Sequence, residues 1–395
     1  MFENREQLKK RLQDFISSKS PNKVLLVPPD HSRAHSGGGL ITAIFYEIFT
    51  KAGIQADILP AIGAHFPMNR AEQLSFFGDI PEERFLVHRW RDGVVKIGEI
   101  PAELVQELSE GQVNEAIPVE LSKHLLDPSY DLIISIGQVV PHEVVGMANY
   151  TKNIVVGCGG SRFINASHMI GAFYGIERIL GQIDTPVRRI FDYAEENFLT
   201  RLPLEYVLTV TEDGNITKLY TGRSRSLFEE AAAQSQKQNI TYLENPIQKC
   251  IVYLDKDEFR STWIGNKAIY RTRMAMAKGG HLIILAPGIR TFGEDPENDR
   301  LIRKYGYCGR TKILKLCKTN PDLKNNLSAA AHLIHGSSEG HFKITYAAPI
   351  LGQEAIESVG YQYMDWPQAK KLQAKPNNKD HHYIPNPAQG LWQIK

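Results

Sequence analysis

The sequence predicts an α/β fold in two domains, residues 1–245 and 246–395, each built on a mostly parallel sheet. Three observations predict it. In both halves, short apolar runs of strand length alternate with longer stretches of helical period. The runs end in loops rich in Gly, Pro, Asp and His, the carboxyl-end position where open α/β sheets bind ligands. Around residue 204 the texture changes, and ENPIQK (244–249) reads as a linker before a second α/β series. A chain of 395 residues, at roughly 100–200 per domain, fits two or three such bodies.

Taken in order, residues 2–17 place Phe2, Leu8, Leu12, Phe15 and Ile16 near a helical period. KVLLVPPD (23–30) reads as a buried strand whose prolines lead into the loop DHSRAHSGGG. LITAIFYEIFTKAG (40–53) then reads as a helix closed by Gly53. ADILPAIGAH (56–65) repeats the pattern and ends at His65. NRAEQLSFFG predicts a helix, and RFLVHRW (84–90) a short strand with His88 near its end. PVELSKHLL is ambiguous. YDLIISIG (130–137) is the clearest buried strand, and it feeds the stretch 138–168. MIGAFYGIERILG and TPVRRIFDYAEENFL predict helices. LEYVLTVTEDGNITKLYTG (204–222) alternates around Asp213-Gly214, a hairpin signal. After the helix SRSLFEEAAAQSQKQ comes a strand CIVYLD (250–255), a helix over 266–278 and a strand HLIILAPG (281–288). Helices follow at DRLIRKYG and DLKNNLSAAAHLIHG, and the tail NPAQGLWQIK is apolar enough to dock on the body.

Composition excludes several classes. Hydrophobic residues are 42% and charged residues 23%, a mix that buries a sizeable core. Lys plus Arg number 46 against 44 Asp plus Glu, with no basic run, which gives no reason to expect a nucleic-acid or membrane partner. No apolar run approaches the ~20 residues that span a bilayer, and MFENREQLKKRLQDF lacks a signal core. Cys158, Cys250, Cys308 and Cys317 form no CxxC pair, so a reducing cytoplasm is the simplest compartment.

The stretch Gln138–His168 is the strongest candidate site. His142 is followed by Lys152 ten residues on and His168 sixteen further, with Gly146, Gly157, Gly159 and Gly160 between them. The glycines read as places where backbone approaches a bulky group closely. Asp30, His31, Ser32, Arg33 and His35 before Gly37–Gly39 read either as an anion cradle or as an ordinary capped turn. His65, His88, His142 and His168 all fall at or after strand ends, and imidazole is both the usual base near neutral pH and the commonest metal ligand. Their spacing matches no standard zinc pattern. Lys152 is a covalent anchor if desolvated, and otherwise a solvated charge. Cys158 reads as a small buried residue. Lys267 opens a helix in the second domain, where it is a surface cation or a partner for an acidic ligand. His332 and His335 lie three apart on a helix, beside Ser337, Ser338 and Glu339, which suit a polyol.

Taken together, these motifs resemble the lactate racemase family, over most of the chain. DHSR (30–33) resembles its Asp-x-Thr-Arg loop, with Ser32 for Thr, and GAHFP (63–67) its Gly-Thr-His loop. His88 in VHRW and His142 in PHEVVGMANYTK fall where the family carries its catalytic histidines. Lys152 matches the lysine joined to the cofactor, and His168, sixteen on, the nickel-ligating histidine. Lys267 matches a cofactor-contacting lysine. The family's Gln three residues before that lysine is Ile264 here. STWIGNKAIYRTRMA and APGIRTFGED look like a subgroup linked to sugar acids, gluconate and mannonate in particular.

The resemblance implies an active site in the cleft between the domains and a nickel-pincer nucleotide attached through Lys152, with His168 on nickel. It implies inversion at C2 of a 2-hydroxy acid, hydride leaving C2 for the cofactor ring and returning to the other face, with His88 and His142 as the two bases. Asp30, His31, Ser32, Arg33 and Lys267 would meet the cofactor, with Arg33 also taking the substrate carboxylate. Arg290, Glu294, His335, Ser337 and Glu339 would recognise the further hydroxyls of an aldonate. The substrate expected is gluconate or mannonate, with lactate or malate as alternatives. A non-catalytic cofactor carrier and a zinc hydrolase are the rivals of other classes. The implied partners are the substrate and the proteins that make the cofactor.

Overall fold

The computed structural model describes residues 4–373, 380–388 and 390–395. Phe2 of the first expected helix and Gln389 of the tail lie outside the described residues. The chain divides into two compact units. The first runs to Ile170 and resumes over Ile179–Gln238; the second comprises Gly171–Arg178 and Asn239 onward. Both are α/β with mostly parallel sheets.

The first unit carries β1 (Lys23–Val27), β2 (Gln55–Ile58), β3 (Leu132–Gln138), β4 (Leu204–Glu212) and β5 (Asn215–Gly222). Their spatial order is β2-β1-β3-β4-β5, parallel except for β5. Val24 and Leu26 pack in one core cluster and Leu25 and Val27 in another, so both faces of β1 are covered. That is why KVLLV reads as an unbroken apolar run rather than an alternating one. The hairpin forms around Asp213 (φ 49°) and Gly214 (φ 78°), both left-handed, the turn its sequence signals.

Helix α1 (Arg5–Ile16) starts at Asn4, whose side chain accepts from Gln7 N at 2.9 Å. Helix α2 (Gly38–Lys51) joins β1 to β2, and α3 (Arg70–Phe77) opens on a capping box of Asn69 and Glu72. From β1 the chain goes to β2 on one side, then returns to β3 on the other. The reversal makes a topological switch point between the carboxyl ends of β1 and β3. Asp30 lies just past the first end and His142 just past the second.

Two elements differ from expectation in this unit. RFLVHRW is not a strand. It makes a single bridge, Phe85 to Ile58, and Leu86 N donates to Ile58 O at 2.7 Å before the chain turns away. The ladder ends there because β2 runs into Pro60, which has no N–H to offer. The second difference is at His168, which lies inside a helix rather than before one. Helix α4 (Thr151–Val155) carries Lys152, and α5 (Ser161–Tyr174) begins directly after Gly159-Gly160.

The second unit has β6 (Ile247–Tyr253), β7 (Met276–Leu285), β8 (Lys343–Ala347), β9 (Gln362–Tyr363) and β10 (His382–Ile384), all parallel in the order β9-β8-β7-β6-β10. Ile251, Ile283, Leu285 and Ala347 pack beneath Ala369 on one face. The expected helix over 266–278 is half that length, Lys267–Thr272, because Met276 already pairs with Ile247 at the start of β7. Ile247 likewise belongs to a strand, which shortens the expected linker. The tail docks as Leu391–Ile394, a parallel partner of Ile240–Leu243.

Candidate active site at the switch point

The Asp30 loop is built around one carboxylate. Asp30 is 4% exposed. Its Oδ1 accepts from Ser32 N at 3.1 Å and from the Ser32 hydroxyl, and His65 donates from Nδ1 to its Oδ2 at 2.7 Å. Burial alone would raise its pKa; the hydrogen bond and charge of His65, with Ser32 and Arg33, outweigh that and hold it well below the carboxylate range. Both donors of Ser32 are therefore taken by Asp30. His31 turns to the far side of the loop, 3.5 Å from Glu72, and lines a hollow of about 800 Å³ with Arg5, Leu40, Phe76 and Ile216. Among the described residues the Arg33 guanidinium has no carboxylate within ion-pair distance.

His142 sits on a two-residue hairpin strand, Pro141–His142, paired with Gly146–Met147. It is 7% exposed, and Val144 N donates to its Nδ1 at 3.1 Å. That bond leaves the proton of the neutral ring on Nε2. Its pKa lies well below the ordinary value because of burial; Glu143 opposes the shift, and the charges of Lys152, Arg33 and His168 add to it.

Asn153, in the same helix turn as Lys152, ties α4 to both sheet ends. Its Nδ2 donates to Val27 O and to Ser135 Oγ, each at 3.0 Å. The Lys152 amine is pulled down to about 8 by burial and by Arg33, with Arg188 adding to the effect. His168 donates from Nδ1 to Ile164 O at 2.7 Å, leaving Nε2 as the acceptor nitrogen. Burial, aided by Lys152, brings its pKa to about 4 against the opposing Ile164 bond. Arg33, His142, Glu143, Lys152 and His168 thus form one electrostatically coupled group.

His88 stands apart from that group. It is 2% exposed, and its Nε2 donates to Gly159 O at 3.0 Å, so its Nδ1 carries the lone pair and has no hydrogen-bond partner among the described residues. Burial lowers its pKa to about 4 against that bond, and its charged neighbour is His124 rather than Lys152 or His142.

The glycines of this stretch are filled by the protein itself, not held open for a ligand. A Cβ at Gly159 would lie 1.8 Å from Val155 O, and one at Gly146 2.1 Å from Gln182 O. Gly159→Ala is expected to lower stability by about 2 kcal/mol or more, an overpacking effect against rigid backbone. It would also displace the carbonyl that holds His88. A urea unfolding midpoint unchanged from wild type would contradict this. Cys158, as expected, is a small buried thiol, with burial raising its pKa.

The depressed histidines set a pH dependence with a definite sign. Neutral His88 and His168 are favoured in the folded chain, while the unfolded chain takes up protons below about 6.5. Stability is full above that value and falls as pH drops from about 6.5 towards 4, at roughly 1.4 kcal/mol per pH unit for each histidine. His88→Gln, which keeps an N–H for Gly159, should flatten the slope by one histidine. Urea unfolding at pH 7 and pH 5 measures it.

In the second unit, Lys267 opens its helix with Nζ 5.9 Å from the Phe259 ring centre. Arg290 and Glu294 are exposed, and Ser261 donates its hydroxyl to Glu294. His335 is buried edge-on to Tyr270, and Ser337 Oγ accepts from Glu339 N at 3.0 Å. Glu339 accepts from Arg310 N at 2.7 Å and so caps the helix Arg310–Thr319. His332 is a structural hub: Tyr270 and Tyr307 hydroxyls lie 2.9 Å from its two nitrogens, and its ring stacks on Trp263.

Sequence reasoning missed Glu143, Asn153 and Arg188. It also missed the backbone at Asn149 (φ 66°) and Tyr150 (φ 58°), two consecutive left-handed residues directly before α4. The Asn was the one available signal, since it tolerates that region better than most.

Fold and site together define a two-unit α/β protein with a cation-and-imidazole cluster at the switch point of its first sheet. Residues 6–176 match the family model described as the lactate racemase N-terminal domain. The chain is similar to a solved protein from Thermotoga maritima at 25% identity and a TM-score of 0.85, over 99% of this chain and 97% of that one. It is also similar to the lactate racemase apoprotein from Thermoanaerobacterium thermosaccharolyticum, at 18% identity and a TM-score of 0.73, over 99% and 93%. No curated protein matches it in sequence. The fold is therefore lactate racemase-like. Among the described residues, no helix is long and apolar enough to cross a membrane.

Proposed function

We propose that the protein is a racemase or epimerase that inverts C2 of a 2-hydroxy acid, with gluconate and mannonate as its substrate pair. The observation that carries the reading is the Lys152 amine, brought to about 8 and coupled to Arg33, His142 and His168 at the switch point of a lactate racemase-like fold.

The residues fit a nickel-pincer nucleotide. Lys152 is partly neutral near pH 8 and so nucleophilic enough to be joined to it. His168 offers one imidazole lone pair, its other nitrogen fixed by a backbone carbonyl, the usual outer-shell arrangement for a metal-ligating histidine. Among the described residues, no group of three His, Cys, Asp or Glu converges as a protein cage for zinc. A single imidazole is what a metal already held by soft donors requires. When bound, the group supplies the acceptor and donor for the C2 hydride.

This chain's own residues do the rest. Arg33 pairs with the substrate carboxylate and fixes its orientation. Loss of hydride from C2 requires the C2 hydroxyl to give up its proton as the carbonyl forms. His88, with its lone pair on Nδ1, starts as a proton acceptor, and His142, with its proton on Nε2, starts as a donor. Burial keeps both neutral at pH 7 and so ready for those roles. In the second unit Lys267 contacts the cofactor, and Arg290, Glu294, His335 and Ser337 recognise the hydroxyls beyond C2. The substrate and the cofactor-making proteins are the partners, in the cytoplasm.

The test is an assay of protein made alongside the cofactor pathway on gluconate, mannonate, lactate and malate. Interconversion of gluconate and mannonate supports the reading. Turnover of lactate or malate alone rejects the sugar-acid substrate. Stoichiometric zinc without nickel rejects the chemistry.

A further inference from the structure

The segment that delivers Lys152 is held by a helix the chemistry does not use. Helix α6 (Pro186–Ala194) is capped by Thr185, whose side chain accepts from Arg188 N at 3.0 Å. Thr185 Oγ1 also donates to Val145 O at 3.0 Å. From the next turn, Arg188 Nη2 donates to Met147 O at 2.7 Å and to Asn149 O at 3.2 Å. Three alternate carbonyls, 145, 147 and 149, are thus tied to the start of one helix. The last of them belongs to Asn149, which with Tyr150 has positive φ, 66° and 58°, and Lys152 follows two residues on. Residues held in such regions persist only where their surroundings over-determine them.

Arg188 is 0% exposed. A fully buried cation is expensive to keep unless it is paired; the charge of Asp192, one turn on, offsets part of that cost, and the rest is met by the carbonyls it holds. Its guanidinium carbon lies 4.3 Å from the centre of the Phe228 ring, and that ring stacks on Tyr150 at 5.3 Å. Among the described residues its Nε and Nη1 have no hydrogen-bond partner. The hydrogen bonds it does make all go to the strained segment or lie in its own helix. A methionine would fill the same space for packing alone.

We propose that Arg188 is a positioning residue for Lys152. It locks the carbonyls of Met147 and Asn149 so that the left-handed pair at 149–150 cannot relax, and this aims the amine at the switch point. The inference gives Lys152 its task from the function proposed above. Its own evidence is the geometry of this segment, and its test needs no cofactor.

The experiment labels the cofactor-free full chain with an amine-acetylating ester. Acetylation of Lys152 is read by peptide mass spectrometry as a ratio to the exposed Lys218. In folded Arg188→Ala the ratio should fall about tenfold, and added guanidinium ion, filling the cavity, should restore most of it. A merely structural role would lower the melting temperature without moving the ratio. A wild-type ratio in folded Arg188→Ala overturns the proposal, as does failure of guanidinium to raise it. Arg188→Lys, which keeps the positive charge but loses the fork that reaches both carbonyls, separates positioning from charge and decides also where Arg188→Ala does not fold: a lowered ratio supports the proposal and an unchanged one overturns it. Should wild-type Lys152 never gain the cofactor's mass while its labelling still depends on Arg188, the attachment fails and the positioning role stands.

Discussion

Lys152→Arg, made alongside the cofactor pathway, is expected to fold and to turn over no 2-hydroxy acid above background. Arginine keeps the length and positive charge, so Arg33, Glu143 and His142 still face a cation there. Stability should change by no more than about 3 kcal/mol. The guanidinium stays protonated above pH 12, so it offers no neutral amine to join a cofactor. Lys152 differs from an ordinary surface lysine because burial and Arg33 bring it to about 8. Near pH 7 a usable fraction of the side chain is uncharged, and that fraction is what the substitution removes. Measured turnover in folded Lys152→Arg protein would sink the anchoring role.

The second large effect is at the two histidines. His142→Ala and His88→Ala should each lower turnover by about 10²–10⁴, the usual worth of positioned acid–base help, while the cofactor stays attached. The losses should appear in both directions of the reaction, because each direction needs one imidazole to accept the hydroxyl proton and the other to donate one as the hydroxyl re-forms, with the roles exchanged on reversal. The two variants differ in stability. His88→Ala leaves the Gly159 carbonyl unpaired and buried, which costs about 1–3 kcal/mol. In His142→Ala the amide of Val144 loses its acceptor beside the site. Their combined loss should fall short of the product of the two, since the groups act as a unit. Turnover that survives loss of either imidazole would mean that the two do not share the proton work. The structure places them in different settings, His142 inside the coupled group and His88 on the Gly159 carbonyl beside His124, so this variant pair carries much of the weight.

Much of the fold was legible because its signals are local. The buried runs of β1 and β3 and the Asp213-Gly214 hairpin follow from apolar period and turn chemistry alone. So does the placing of Asp30 and His142 past strand ends, which topology turns into one switch point. What was not legible depends on contacts made far along the chain. The stretch RFLVHRW has strand composition, but its would-be partner runs into Pro60. His168 was expected before a helix and lies inside one, because the glycines ahead of it pack against Val155 and Glu120 rather than remaining open. The local partners of Ser32 and Glu339 were not legible either: the fold engages the first with Asp30 and the second with a helix start. Arg188 reads in sequence as one more charge in TPVRRIFDY, and only the tertiary structure shows where its fork points.

The most direct measurement is peptide mapping by mass spectrometry of wild-type protein made alongside the cofactor pathway. The account predicts that the whole mass gain falls on the peptide holding Lys152 and vanishes in Lys152→Arg. A gain on any other peptide, or nickel retained with no covalent gain at all, would contradict it.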